Sequence, residues 1–205
     1  MTTSVSQQGT QMVEEKARVS KQAGFNLIEA AIVLGIVGLI VGGIWAAAAS
    51  AYENMRQQAA SKNLLSLAQN VRGFYAQNPA DSIDTDVENL FSLGLLPADM
   101  VVGTAGAHTL RHQWGGAVTL SDTSASGLAS FSITFTKMNS EACRNFIMRN
   151  ANAARGSGLL VVGTDGGVVM DIANNSSATT DIAGVNGRCG STTQRDVYFT
   201  FGLRG

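Results

Sequence analysis

The sequence predicts an α+β fold: a long N-terminal helix packed on an antiparallel β-sheet, with a disulfide-bounded C-terminal region. Three observations carry this. An uncharged apolar run at 30–49 continues into an amphipathic helical pattern that lasts to residue 77. Phe131-Ser132-Ile133-Thr134-Phe135-Thr136 alternates strictly between apolar and hydroxyl residues, as a half-buried antiparallel strand does. Apolar stretches at 159–162 and 168–172 flank Gly163-Thr164-Asp165-Gly166-Gly167 and read as a hairpin.

Residues 1–24 are polar, with Glu14, Glu15, Lys16, Arg18 and Lys21 toward their end. They are too polar for a core element and too short for a domain. The three cations lie just before the apolar run, and a basic flank stays on the cytoplasmic side. The C-terminal body is therefore expected across the membrane.

The predicted helix covers 25–77, with its apolar half at 25–52. The run at 30–49 holds about 20 residues, which at ~1.5 Å per residue matches the ~30 Å hydrocarbon core of a bilayer. A helix crosses there because its backbone hydrogen bonds are internal. Glu29 stands at the mouth of the span. A carboxylate near the bilayer core costs roughly 2.5–3.5 kcal/mol on insertion scales, so it is read as functional. A cut after Gly24 would leave Phe25 with a free α-amine about one helical turn from Glu29. Further on, Tyr52, Met55, Ala59, Leu64, Leu67, Ala68, Val71, Phe74 and Tyr75 recur at three- and four-residue steps, with Arg56, Gln57, Lys62 and Arg72 between them. One stripe is expected to bury against the body. Pro79 ends the helix by disfavouring helical backbone at Asn78.

In the body, residues 78–205, Thr85-Asp86-Val87-Glu88 reads as a capped helix start with Thr at the cap, closed by Gly94 and Pro97. Residues 103–112 are expected as loop, 117–120 as a short strand and 122–127 as a turn. Asn139-Ser140-Glu141 opens a helix carrying Cys143, Phe146, Ile147 and Asn150. In the hairpin, Asp165-Gly166 would supply the positive-φ positions of a tight turn. Residues 172–191, rich in Asn, Ser, Thr and Gly, read as surface loop. Asp196-Val197-Tyr198-Phe199-Thr200-Phe201 is a last strand that returns to the sheet.

Of the 205 residues only 14% are charged and the net charge is −1, so nothing in the balance favours nucleic acid. The two cysteines, Cys143 and Cys189, belong to no CxxC or Cys/His pattern. Outside the cytoplasm a disulfide between them is the economical reading; two unrelated buried thiols are the alternative. His108 and His112 are four apart, but the surrounding glycines argue against a helix and no third ligand is evident, so no metal is expected. No nucleophile elbow, P-loop or dinucleotide fingerprint occurs, so the chain is not expected to be an enzyme or to use a cofactor.

Gly24, Phe25, Leu27, Ile28 and Glu29, followed by the long apolar helix, resemble the cleavage and assembly signature of type IV pilins. The resemblance implies that a prepilin peptidase cuts after Gly24 and that the new N-terminus at Phe25 is methylated. It implies that Glu29, fifth in the mature chain, serves assembly. It also implies a long helix laid on an antiparallel sheet. The leader length and body size resemble the type IVb class, of which a major subunit is expected, although Phe25 itself is the type IVa choice. The implied partners are further copies of the chain in a helical fibre, the prepilin peptidase, an assembly ATPase, an inner-membrane platform and an outer-membrane secretin. The implied locations are the inner membrane, with a periplasmic head, and then the extracellular pilus.

Within the fibre, Gly42-Gly43 is the expected weak point of a helix also punctuated by Gly35 and Gly38. Minor pilins and secretion-system pseudopilins share the N-terminal signature. A third reading takes Ala49-Ser50-Ala51 as a signal-peptidase site, giving a secreted domain from Tyr52; a plain anchored periplasmic binding domain belongs to the same class. That reading leaves Glu29 without a role.

Overall fold

The computed structural model describes residues 26–78, 82–125, 128–176, 178–190 and 194–203. The chain divides into two units, Met1–Ala46 and Ala47–Gly205.

The described part of the first unit is the beginning of helix α1 (Leu27–Gln77). Asn26 caps it. Its side-chain oxygen accepts the Ile28 N–H at 3.3 Å, and its carbonyl accepts those of Glu29 and Ala30. No proline interrupts the apolar turns, and the isolated chain stays helical through Gly42 and Gly43.

The second unit is an α+β head. Its sheet is built from β1 (Val101–Val102), β2 (Thr109–Arg111), β3 (Ala117–Ala125), β4 (Leu128–Met138), β5 (Leu159–Thr164), β6 (Gly167–Asp171) and β7 (Arg195–Gly202). The seven strands run in the order β1-β2-β3-β4-β7-β5-β6, and every neighbouring pair is antiparallel. Helix α2 (Val87–Ser92) follows α1, α3 (Ser140–Ala153) joins β4 to the β5–β6 hairpin, and α4 (Ile182–Cys189) precedes β7.

The last strand lies inside the sheet, between β4 and β5. Val197, Phe199 and Phe201 pair with Phe135, Ile133 and Phe131 of β4, and all six are fully buried. They share one core with Leu64, Leu67, Ala68 and Val71 of α1 and Phe146 and Ile147 of α3. The Phe146 ring meets Phe135 at 4.8 Å and Phe199 at 5.4 Å, both edge to face. Arg72 of α1 fastens the helix to the C-terminal strand: its Nε donates to the Gly202 carbonyl at 2.8 Å and its Nη1 donates to the Ser157 carbonyl.

Several expectations need correction. The buried stripe of α1 begins at Gln57, whereas Tyr52 and Met55 are 58% and 65% exposed. The apolar periodicity in the sequence reaches back further than the core does. Tyr52 instead lies under the Arg56 guanidinium, 4.4 Å from the ring centroid. Asp86, not Thr85, caps α2, accepting the Glu88 N–H at 2.8 Å; Glu88 does not close a capping box. Gly94 ends α2 as expected, at φ 70, with Gly94 N–H on Phe91 O and Leu95 N–H on Leu90 O.

The segment expected as loop at 103–112 contains β2, whose Leu110 is buried. The segment expected as a turn at 122–127 is strand as far as Ala125, paired residue by residue with β4. Its polar side chains mimic a turn, but backbone pairing to a long partner strand decides the conformation. The β5–β6 hairpin forms, yet the positive φ falls on Gly167, at 125°, and not on Asp165 or Gly166. The segment expected as loop at 172–191 contains α4. Asp181 starts it by accepting the N–H groups of Ala183 and Gly184, and Val185 and Cys189 bury its inner face.

Candidate functional site

Every described residue from 27 to 46 except Ala30 is exposed. Leu39 is 80% exposed and Trp45 73%. The most apolar 18-residue window of α1 has a mean hydropathy of 2.5 with none of it buried. A soluble core helix of that composition would be covered by its own chain. An uncovered apolar surface of this extent suits lipid or other apolar helices around it. Glu29 sits exposed in the first turn of α1, where the positive end of the helix dipole favours a carboxylate. Gly24 and Phe25 lie outside the described residues.

The head brings Cys143 and Cys189 together. Their sulfurs are bonded at 2.04 Å and their Cα atoms are 5.8 Å apart, which ties α3 to α4. Both cysteines are fully buried.

The two histidines have different partners. His108 donates its backbone N–H to Glu88 Oε1 at 2.5 Å, and its Nδ1 lies 2.9 Å from Glu88 Oε2. Its ring stacks on Phe91 at 4.1 Å. The backbone and ring hydrogen bonds from His108 hold the Glu88 carboxyl below its ordinary pKa. His112 is buried. Its Nδ1 accepts the Trp114 N–H at 3.2 Å, which leaves the proton on Nε2 to be donated to the Thr136 carbonyl at 2.7 Å. Burial pushes its pKa down. Among the described residues no three His, Cys, Asp or Glu side chains converge as a metal site.

A pocket of about 430 Å³ opens between α1 and α3, lined by Glu53 and Gln57 from the one and Glu141 and Arg149 from the other. The Glu53 carboxylate accepts Trp114 Nε1 at 3.0 Å and Gln57 Nε2 at 3.2 Å on one oxygen. Arg149 donates to Asn54 Oδ1 at 3.1 Å. Sequence reading missed this cluster. Glu53 and Trp114 are 61 residues apart, and no local pattern announces their meeting. The Glu88–His108 pair and the Arg72 clamp were missed for the same reason.

Residues 54–202 match the model of the family described as PilS N terminal. The chain belongs to this family of type IV pilins. The match begins beyond the Gly24–Glu29 segment, so it rests on the head and the adjoining part of α1. The pilin fold is also that of the type IV b pilin from Salmonella typhi. That structure is 19% identical, with a TM-score of 0.53, over 71% of this chain and 99% of the other. TcpA, a type IV pilin from the Vibrio cholerae El Tor biotype, is 16% identical with a TM-score of 0.50, over 71% of this chain and 98% of its own. At these identities the likeness is one of fold. No curated protein matches the chain. A pilin is a structural subunit, and the uncovered apolar helix of this one is consistent with a membrane anchor that later enters a fibre.

Proposed function

We infer that this pilin is the major subunit of a type IVb-like pilus, made as a prepilin with residues 1–24 as its leader. The observation that carries the reading is the uncharged apolar length of α1, none of it buried, with Glu29 in its first turn. Before assembly the helix spans the inner membrane, with the leader cytoplasmic and the head periplasmic, where the Cys143–Cys189 bridge is stable. A prepilin peptidase cuts after Gly24, and the Phe25 amine, once methylated, remains charged. In the growing fibre the Phe25 amine of an incoming copy pairs with Glu29 of a copy already in place. An unpaired carboxylate in an apolar bundle is heavily penalised, so the pair sets the stagger of the helices more than it adds net stability. The assembly ATPase, inner-membrane platform and outer-membrane secretin drive extrusion, and the heads form the fibre surface used in adhesion, aggregation or contact between mating cells.

The deciding test is N-terminal mass analysis of mature protein from a host with an active prepilin peptidase. A start at Phe25 with one added methyl supports the reading. A start at Tyr52, or an intact Met1, overturns it. Subunit abundance in sheared fibres then separates a major pilin from a minor pilin or pseudopilin.

A further inference from the structure

We propose that His112 is the proton-sensitive catch of a latch between the head's β2–β3 turn and α1: a second proton on its ring frees Trp114 from Glu53. The proposal stands apart from how α1 is used before and after assembly. The turn at 112–116 is closed by His112 N–H on the Gly116 carbonyl at 3.1 Å and Gly115 N–H on the His112 carbonyl at 2.8 Å. It carries Trp114, whose indole N–H reaches Glu53 at 3.0 Å and whose ring meets Phe146 of α3 edge to face at 5.9 Å. Glu53 follows closely on Ala49, where the apolar run ends, so the latch grips α1 just past that run.

The imidazole holds the turn with both nitrogens. Nδ1 accepts the Trp114 backbone N–H with its lone pair, and Nε2–H is spent on the Thr136 carbonyl. His112 is buried, and an added Cβ at Gly116 would stand 2.3 Å from Nε2 and 2.1 Å from the Thr136 oxygen, so the turn is pressed against this bond. A second proton must go to Nδ1, because Nε2 already carries one. It sets donor against donor at Trp114, and the backbone and indole contacts go together because they belong to one residue. Gln113 already weighs against the closed turn: its Oε1 is buried with no hydrogen-bond partner among the described residues.

Among the described residues no carboxylate bonds the imidazole. β4 presents the Phe135 ring at 5.7 Å and the Thr136 carbonyl, and Lys137 beyond it is exposed. α1 presents Glu53, bonded to the indole rather than to the imidazole. α3 presents Phe146, while its Glu141 and Arg149 line the pocket beside Glu53. Arg111 is spent on the Gly115 carbonyl at 2.9 Å. Burial disfavours the charged ring more than the Thr136 carbonyl favours it, so the second proton arrives below the ordinary value of about 6.5.

The test follows the side-chain nitrogens of histidine and tryptophan by NMR in the full-length pilin in maltoside micelles, in a Trp45→Phe background, from pH 7.5 to pH 4.5. The Trp114 Nε1–H signal should shift with the same midpoint as the His112 ring. Glu53→Gln keeps an acceptor and should leave that midpoint in place, whereas His112→Gln should hold the Trp114 signal constant down to pH 5. Protection of the amides of 54–58 at pH 5 should be roughly tenfold lower in the parent than in His112→Gln, as for one lost charge-assisted hydrogen bond. Because His112 is buried, Trp114→Phe serves as a second variant. It keeps a ring on Phe146 but lacks the indole N–H, and its protection at 54–58 should already be low at pH 7.5. A Trp114 signal that stays put while His112 titrates overturns the proposal, as does an imidazole still neutral at pH 4.5. So does a transition that persists in His112→Gln and vanishes in Glu53→Gln, which would make the carboxylate the sensor. Parental protection in Trp114→Phe, or loss of protection in α4 at the same midpoint, which would mark global unfolding, overturns it as well.

Discussion

Replacing Cys143 and Cys189 together by alanine should destabilise the head by about 4 kcal/mol. The bridge closes a separation of 46 residues. In the chain-entropy account a loop of that length removes about 13–14 cal/mol/K from the unfolded state, or ~4 kcal/mol at 25 °C. A domain has only about 5–15 kcal/mol in total, so the variant would lie near the edge of stability. The loss should concentrate at α4. That helix has eight residues and contains Gly184 and Gly187, each costing ~0.5–1 kcal/mol relative to alanine, and helices shorter than about 12 residues do not hold alone. Its anchors include the Asp181 cap, buried Val185, the hydrogen bond from Arg188 Nη1 to the Gly166 carbonyl at 2.7 Å and the bridge itself. Urea unfolding of the full chain in detergent, followed by Trp114 fluorescence in a Trp45→Phe background, should show the midpoint falling by about 2 M for a slope near 2 kcal/mol/M. Hydrogen exchange should show amides in 182–189 opening first. A midpoint within about 0.5 M of the parent at unchanged slope, or parental exchange in α4, would refute the reasoning.

Four further outcomes are expected. Glu29→Ala should insert and be cleaved normally but build few fibres; normal piliation by electron microscopy would exclude the pairing mechanism. Leu67→Ala, at a fully buried position of α1, should cost about 2–5 kcal/mol in the same urea assay, whereas Met55→Ala, largely exposed, should cost almost nothing. Asp181→Ala should lose about 1 kcal/mol with the cap of α4, read as faster exchange at Ala183 and Gly184. His112 is held neutral by burial, so its folded pKa lies below its unfolded value of about 6.5. Its contribution to stability is complete above that value and declines as pH falls below it, because the unfolded chain then binds the proton more readily. Urea midpoints at pH 7.5 and pH 5 should therefore differ more for the parent than for His112→Gln, and equal differences would remove the assignment.

Much of the fold was legible locally. The C-terminal end of α1, the β4 alternation and the helix opening at Asn139 each rest on a pattern within a few residues and stand where that pattern puts them, and the β5–β6 hairpin forms as read with its positive φ moved to Gly167. The Cys143–Cys189 pair was legible for a different reason, since only two cysteines exist to be paired. What misled were segments whose composition contradicts their partners. Asp122 and Thr123 look like a turn but are drawn into strand by β4. The glycine- and asparagine-rich stretch before β7 looks like loop, but α4 forms there because Val185 and Cys189 have a core to enter.

The sequence by itself determined that this chain carries an uncharged apolar helix with one carboxylate at its mouth. Length, hydropathy and spacing are properties of neighbouring residues and need no partner to be read. The tertiary structure alone decided which face of α1 the head covers. It also placed the last strand inside the sheet, between β4 and β5, and assembled Glu53, Gln57, Glu141 and Arg149 around one pocket. Those outcomes depend on side chains tens of residues apart meeting across a packed core, where burial and hydrogen-bond satisfaction are settled jointly rather than by local sequence.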